Sequence, residues 1–147
     1  METPKIDAAR FVRYAGTHLD RWRQLIGREV EHVDGRWGAG SIEGVRWGSP
    51  NEHVRPYLQI RVRYVNHGLA TYRASTFHTH HRVVTVSVDL EQLLRRCDGD
   101  HMDEATRDAL LERHDRALRE AENRRRLERA DDLKRRVASR NTTQPPA

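Results

Sequence analysis

Ala8, Phe11, Val12, Ala15, His18, Leu19, Trp22, Leu25 and Ile26 recur at steps of three and four, the spacing that gathers side chains on one face of a helix. Arg10, Arg13, Thr17, Asp20 and Arg21 fall mostly on the other side. The pattern predicts one amphipathic helix over residues 4–27, with Thr3 as its cap, Pro4 in the first turn and Gly27 as its stop. From residue 28 the period changes to two. Val30 and His32 share one side of a first strand, and Asp34-Gly35 marks a turn. Residues 40–47 form a second strand, broken by Gly48-Ser49-Pro50-Asn51. Residues 57–65 are the clearest strand, with Leu58, Ile60, Val62 and Tyr64 on one side and Gln59, Arg61 and Arg63 on the other. That alternation marks a sheet with one buried and one wet face. Asn66-His67-Gly68 turns the chain into a fourth strand over 69–74, and a fifth covers 83–88. Five short strands joined by tight turns suit a small closed or nearly closed β-barrel over residues 28–88.

Helical spacing returns at Asp89, whose position before Leu90, Glu91 and Gln92 fits a capping box, and Leu90, Leu93 and Leu94 give a short apolar face. Cys97-Asp98-Gly99-Asp100 ends that helix. A long, highly charged helix follows from 102 to about 137, completing a helical segment over 89–138. Its aliphatic stripe of Leu110, Leu111, Leu118, Leu127, Leu133 and Val137 is thin and drifts, so no sustained heptad is assigned. Residues 139–147 read as a disordered polar tail. The expected class is α+β: a small five-stranded barrel between an N-terminal amphipathic helix and a long charged C-terminal helix.

Composition narrows the picture. Hydrophobic residues make up 36% of the 147 and charged residues 33%, so the core is small and the surface highly charged. No apolar run is long enough to cross a membrane, and residues 1–10 lack the apolar stretch of a secretory signal. Cys97 is the only cysteine, which excludes an internal disulfide and a multi-cysteine zinc site. A cytoplasmic setting is expected. The net charge is +5, carried almost wholly by arginine, the better fork-shaped partner for phosphate and carboxylate. A GC-rich genome produces the same arginine excess without functional demand.

One segment carries a functional suggestion. Gly27, Val30, His32, Trp37, Gly38, Gly40 and Ile42 follow the order glycine, valine and histidine, aromatic-Gly-x-Gly, aliphatic. This resembles the Tudor-like, SH3-like module at the C-terminus of UvrD-type helicases and in related bacterial proteins. Four residues separate His32 from Trp37, where the family pattern usually has two, so the first loop is expected to be longer. The resemblance covers the barrel region and implies a docking module that binds RNA polymerase or acts in transcription or DNA repair. Within the motif itself every role is structural: glycines for the turn, the aromatic for closing one end, Val30 and Ile42 for the core.

Two sets of arginines are candidate contacts for a protein partner or nucleic acid. Arg61 and Arg63 lie on the wet side of the third strand, with Arg46 and Arg73 as expected neighbours. A solvated strand face accounts for them as readily as a contact site. Arg124, Arg125, Arg126, Arg135 and Arg136, with Arg129, Lys134 and Arg140, crowd the second half of the long helix, while Asp103, Glu104, Asp108 and Glu112 crowd its start, which suits the helix dipole. Trp37 is expected to close the barrel, and the role of Trp47 stays open.

No catalytic constellation emerges. If residues 78–81 are extended, His78 and His80 share a face while His81 points away, and two histidines are too few for a closed zinc site without a further ligand from His32, His53 or His67. Ser75 and Ser87 lack a nucleophile elbow, and Gly35, Gly38 and Gly40 lack the lysine and helix of a phosphate loop. The sequence therefore points to a nonenzymatic interaction protein with no cofactor or metal, docking on RNA polymerase or a repair complex with added nucleic-acid contact. The alternatives are a direct RNA- or DNA-binding protein, or an assembly component that pairs through its long helix.

Overall fold

The computed structural model describes residues 3–48, 55–99 and 102–142. They fall into two compact units, 1–107 and 108–147. The N-terminal segment departs from the single helix expected over 4–27. Lys5–Asp7 is a strand, β1, with Ile6 buried between two exposed neighbours. Two short helices follow, α1 (Ala8–Ala15) and α2 (Leu19–Arg23). Asp7, not Thr3, caps α1: its carboxylate accepts the Ala9 N–H at 3.0 Å. Gly16 separates the two helices at φ +50° and ψ −121°, a conformation closed to residues with a Cβ.

The strand positions between 28 and 85 match the alternating pattern closely. They are β2 (Glu29–His32), β3 (Ala39–Trp47), β4 (Leu58–Tyr64), β5 (Gly68–Arg73) and β6 (His81–Thr85). The turn expected at Ser49-Pro50-Asn51 lies outside the described residues. β6 starts two residues earlier than expected and stops before Val86, because Ser87 caps the next helix too soon for the strand to continue. A helical turn that the spacing did not predict, Ala74–Thr76 followed by a four-residue helix Phe77–His80, joins β5 to β6. Numbering that turn of α-helix α3, the helix capped by Ser87 is α4 (Val88–Asp98) and the long one is α5 (Glu104–Thr142). Ser87 Oγ accepts the Leu90 N–H at 3.1 Å, so the cap falls two residues before Asp89.

The barrel expectation needs correction. Among the described residues six strands, not five, form one antiparallel sheet in the order β1-β6-β2-β3-β4-β5, an open sheet with β1 and β5 at its edges. The extra strand comes from the segment read as helix. Ile6 pairs with Val84 and Val30 pairs with the same Val84 from the other side. α5 also runs further than expected. Residues 139–142, read as tail, continue the helix, and 143–147 lie outside the described residues.

The core of the first unit sits between the inner face of the sheet and the helices α1 to α4. Phe11, Trp22, Leu25, Ile42, Ile60, Val62, Phe77, Val84, Val86 and Leu90 are all but sealed from solvent. Aromatic rings run through it edge to face: Phe11 to Trp22 at 5.1 Å and Trp22 to Phe77 at 5.4 Å, a favourable geometry for ring quadrupoles. The indole N–H of Trp22 donates to the Gly16 carbonyl at 2.8 Å. Cys97 is buried.

Candidate interaction surfaces

The glycine–aromatic motif is assembled where β2 meets β3. Gly27 N–H donates to the Ile42 carbonyl and Ile42 N–H to the Arg28 carbonyl, which starts the ladder. Val30 pairs with Gly40. A Cβ on Gly40 would lie 2.8 Å from both the Tyr64 ring and Val30, so glycine is needed for these side chains to cross the strand. Gly38 sits at φ +78°. After Asp34 the chain winds a single turn of tight helix, Gly35–Trp37. Asp34 holds that turn by accepting the Arg36 N–H at 3.0 Å and gripping the Arg36 guanidinium with both oxygens. That grip lowers the Asp34 carboxyl to about 2.

Trp37 is held between two imidazoles, His32 at 3.8 Å and His67 at 3.6 Å between ring centres, both nearly parallel to the indole. His32 is buried, and its Nδ1 accepts the Asp34 N–H at 2.9 Å, so the neutral ring carries its proton on Nε2. Among the described residues that Nε2 has no hydrogen-bond partner. Burial, with His80 nearby, lowers the His32 pKa. Deeper in, His81 is fixed from both sides. The Phe77 carbonyl lies 2.9 Å from Nδ1; a carbonyl only accepts, so Nδ1 carries the proton and Nε2 accepts from the Tyr64 hydroxyl. Tyr64 and Tyr72 hydroxyls are hydrogen-bonded at 2.9 Å. Burial lowers the His81 pKa to about 4 and raises those of Tyr64 and Tyr72. The rings of this cluster pack on one another, with His32 edge to face on both Tyr64 and His81 at 5.5 Å. His67, Tyr64, Tyr72 and His81 belong to it through long-range packing, which local spacing did not signal.

His78 and His80 do not share an extended face as the spacing suggested, because they lie in α3 while His81 opens β6. His53 lies outside the described residues. No group of three or more histidine, cysteine or acidic side chains among the described residues is arranged to hold a metal ion.

The arginines on the strands do come together. Arg46, Gln59 and Arg73 form one cross-strand row over β3, β4 and β5, while Arg61 pairs with Gly44 and Thr71, and Arg63 with Ser41 and Leu69. Alternation places Gln59, Arg61 and Arg63 on the outer face, so all four arginines share it. Glu43 is the acid among them, bonded to Arg63 and 3.9 Å from Arg61. Arg46 Nε donates to Gln59 at 3.0 Å, and the Arg73 guanidinium stacks on the Tyr57 ring at 4.2 Å. Glu29 and Glu31, exposed on β2, make the far side of the same face acidic. Trp47 ends β3 with 48% of its surface exposed.

On α5 the candidate arginines do not form one site. Arg124, Arg125 and Arg126 are consecutive in a helix and point about 100° apart, as do Arg135 and Arg136. Arg136 pairs with Asp132 at 3.1 Å and Arg129 with Glu122 at 3.1 Å.

Among the described residues no helix is long and apolar enough to cross a membrane. Compared with known proteins, the chain matches no family model, no curated protein and no solved structure.

Proposed function

We propose that this protein is a nonenzymatic docking module that engages an acidic surface of a larger complex through the outer face of β3, β4 and β5. The observation that carries this reading is the gathering of Arg46, Arg61, Arg63 and Arg73 from three strands onto one exposed face against Glu43. Exposed arginines that already have an anchoring neighbour, as Arg46 has Gln59 and Arg73 has Tyr57, lose less side-chain entropy when they bind. Paired charges of one sign on a rigid sheet also steer association. The resemblance of the Gly27-to-Ile42 segment to the Tudor-like module of UvrD-type helicases supports RNA polymerase or a DNA-repair complex as the partner.

Affinity purification of the full chain from nuclease-treated extract tests this. Polymerase or repair subunits are expected to co-purify with the wild type and to be lost, by about tenfold or more, with Arg46→Gln/Arg73→Gln, a loss of about 1.4 kcal/mol or more. Recovery that vanishes with nuclease, or that ignores the substitutions, contradicts the reading.

A further inference from the structure

Every described residue from 123 to 140 in α5 is exposed. Within that stretch the charges are nevertheless sorted. At about 100° per residue, Arg125, Arg129, Arg136 and Arg140 fall within an arc of about 60°, and Arg126 adjoins it. Asp131 lies on the far side and Glu128 about a quarter-turn away. Asp132 borders the stripe, where it is taken up by Arg136, and Glu122, just before this stretch and at the angle of Arg140, is taken up by Arg129. Arg124, Lys134 and Arg135 lie outside the arc.

We propose that this stripe is a binding surface for the backbone of a nucleic-acid duplex. From Arg125 to Arg140 the stripe runs about 22 Å at 1.5 Å per residue, the length of about six or seven base pairs at 3.4 Å each. Arginines four residues apart are separated by about 6 Å, close to two base steps of about 7 Å. An α-helix of about 10–12 Å diameter matches the roughly 12 Å width of the major groove of DNA. A regular polyanion meets the whole stripe at once, and arginine's planar fork suits phosphate oxygens better than lysine does. Pairing with a second copy is the weaker fit. Leu133 and Val137 are exposed one turn apart, but Leu127 lies on another side, so the apolar seam covers about two turns where a coiled coil needs three or four heptads.

The test is fluorescence anisotropy of the full chain with labelled mixed-sequence DNA and RNA duplexes of about 20 base pairs, in rising salt. Binding is expected with a slope of log K against log salt of about −3 to −5, from about 0.9 per neutralised phosphate. Arg125→Gln/Arg129→Gln/Arg136→Gln/Arg140→Gln is expected to weaken it at least tenfold and to flatten the slope by about 3. Glutamine is a good helix former, and circular dichroism checks that helicity is kept. The sheet variant Arg46→Gln/Arg73→Gln is expected to leave duplex affinity within about twofold. The DNA and RNA arms show which duplex is preferred, and binding to either supports the proposal. No binding at low salt, binding lost in the sheet variant instead, or equal binding of polyglutamate overturns it. So does a dimer by light scattering that the four α5 substitutions abolish.

Discussion

His81 shows how one side chain can couple local chemistry to the stability of the whole unit. Its ring accepts from Tyr64, donates to Phe77 and stacks on the Phe77 ring at 4.1 Å. Burial holds its pKa at about 4, below the roughly 6.5 of an unfolded chain. Between these values the unfolded state binds the proton and the folded state does not, so unfolding gains as pH falls. His32, lowered for the same reason, acts in the same direction. Stability is expected to be full above about pH 6.5 and to fall towards pH 4, by at most about 1.4 kcal/mol per pH unit for each such histidine. Denaturant unfolding from pH 7.5 to 4.5 checks this. His81→Gln should flatten the slope whatever it does to stability at neutral pH. A wild-type profile flat over that range would contradict the burial of a neutral ring.

At the scale of elements, Gly16 divides what the sequence pattern presents as one helix. A Cβ there meets nothing within 4 Å, so any effect of adding one comes from the backbone alone. Gly16→Ala is expected to destabilise the unit by about 1–3 kcal/mol, measured by chemical denaturation. No loss would mean that α1 and α2 can merge. The reason β1 was hidden is physical. Three extended residues around Ile6 precede a strong period of three and four from Ala8 to Leu25, and the longer signal absorbs the shorter. The four-residue α3 was hidden likewise, because one turn is too short to show a period and its histidines are compatible with a strand. β4 was legible because Leu58, Ile60, Val62 and Tyr64 face the core while Arg61 and Arg63 face water. The outer arginine row was half legible. Alternation gave the side on which Arg61 and Arg63 lie, but only the register of β3 and β5 brings Arg46 and Arg73 beside them. The stripe on α5 was obscured by the adjacent triplet Arg124, Arg125 and Arg126, which draws the eye to a run rather than to a face.

For the whole molecule, charge is distributed by face rather than by net value. The outer sheet face is acidic at β2 and basic at β3 to β5, and α5 carries a second basic stripe. The most direct measurement is hydrogen–deuterium exchange of the full chain, alone and bound to the complex it co-purifies with. Binding through the sheet is expected to protect β4 and β5, Leu58–Tyr64 and Gly68–Arg73, beyond their protection in the free protein. Protection confined to α1 and α4, with β4 and β5 exchanging as in the free chain, would contradict the assignment.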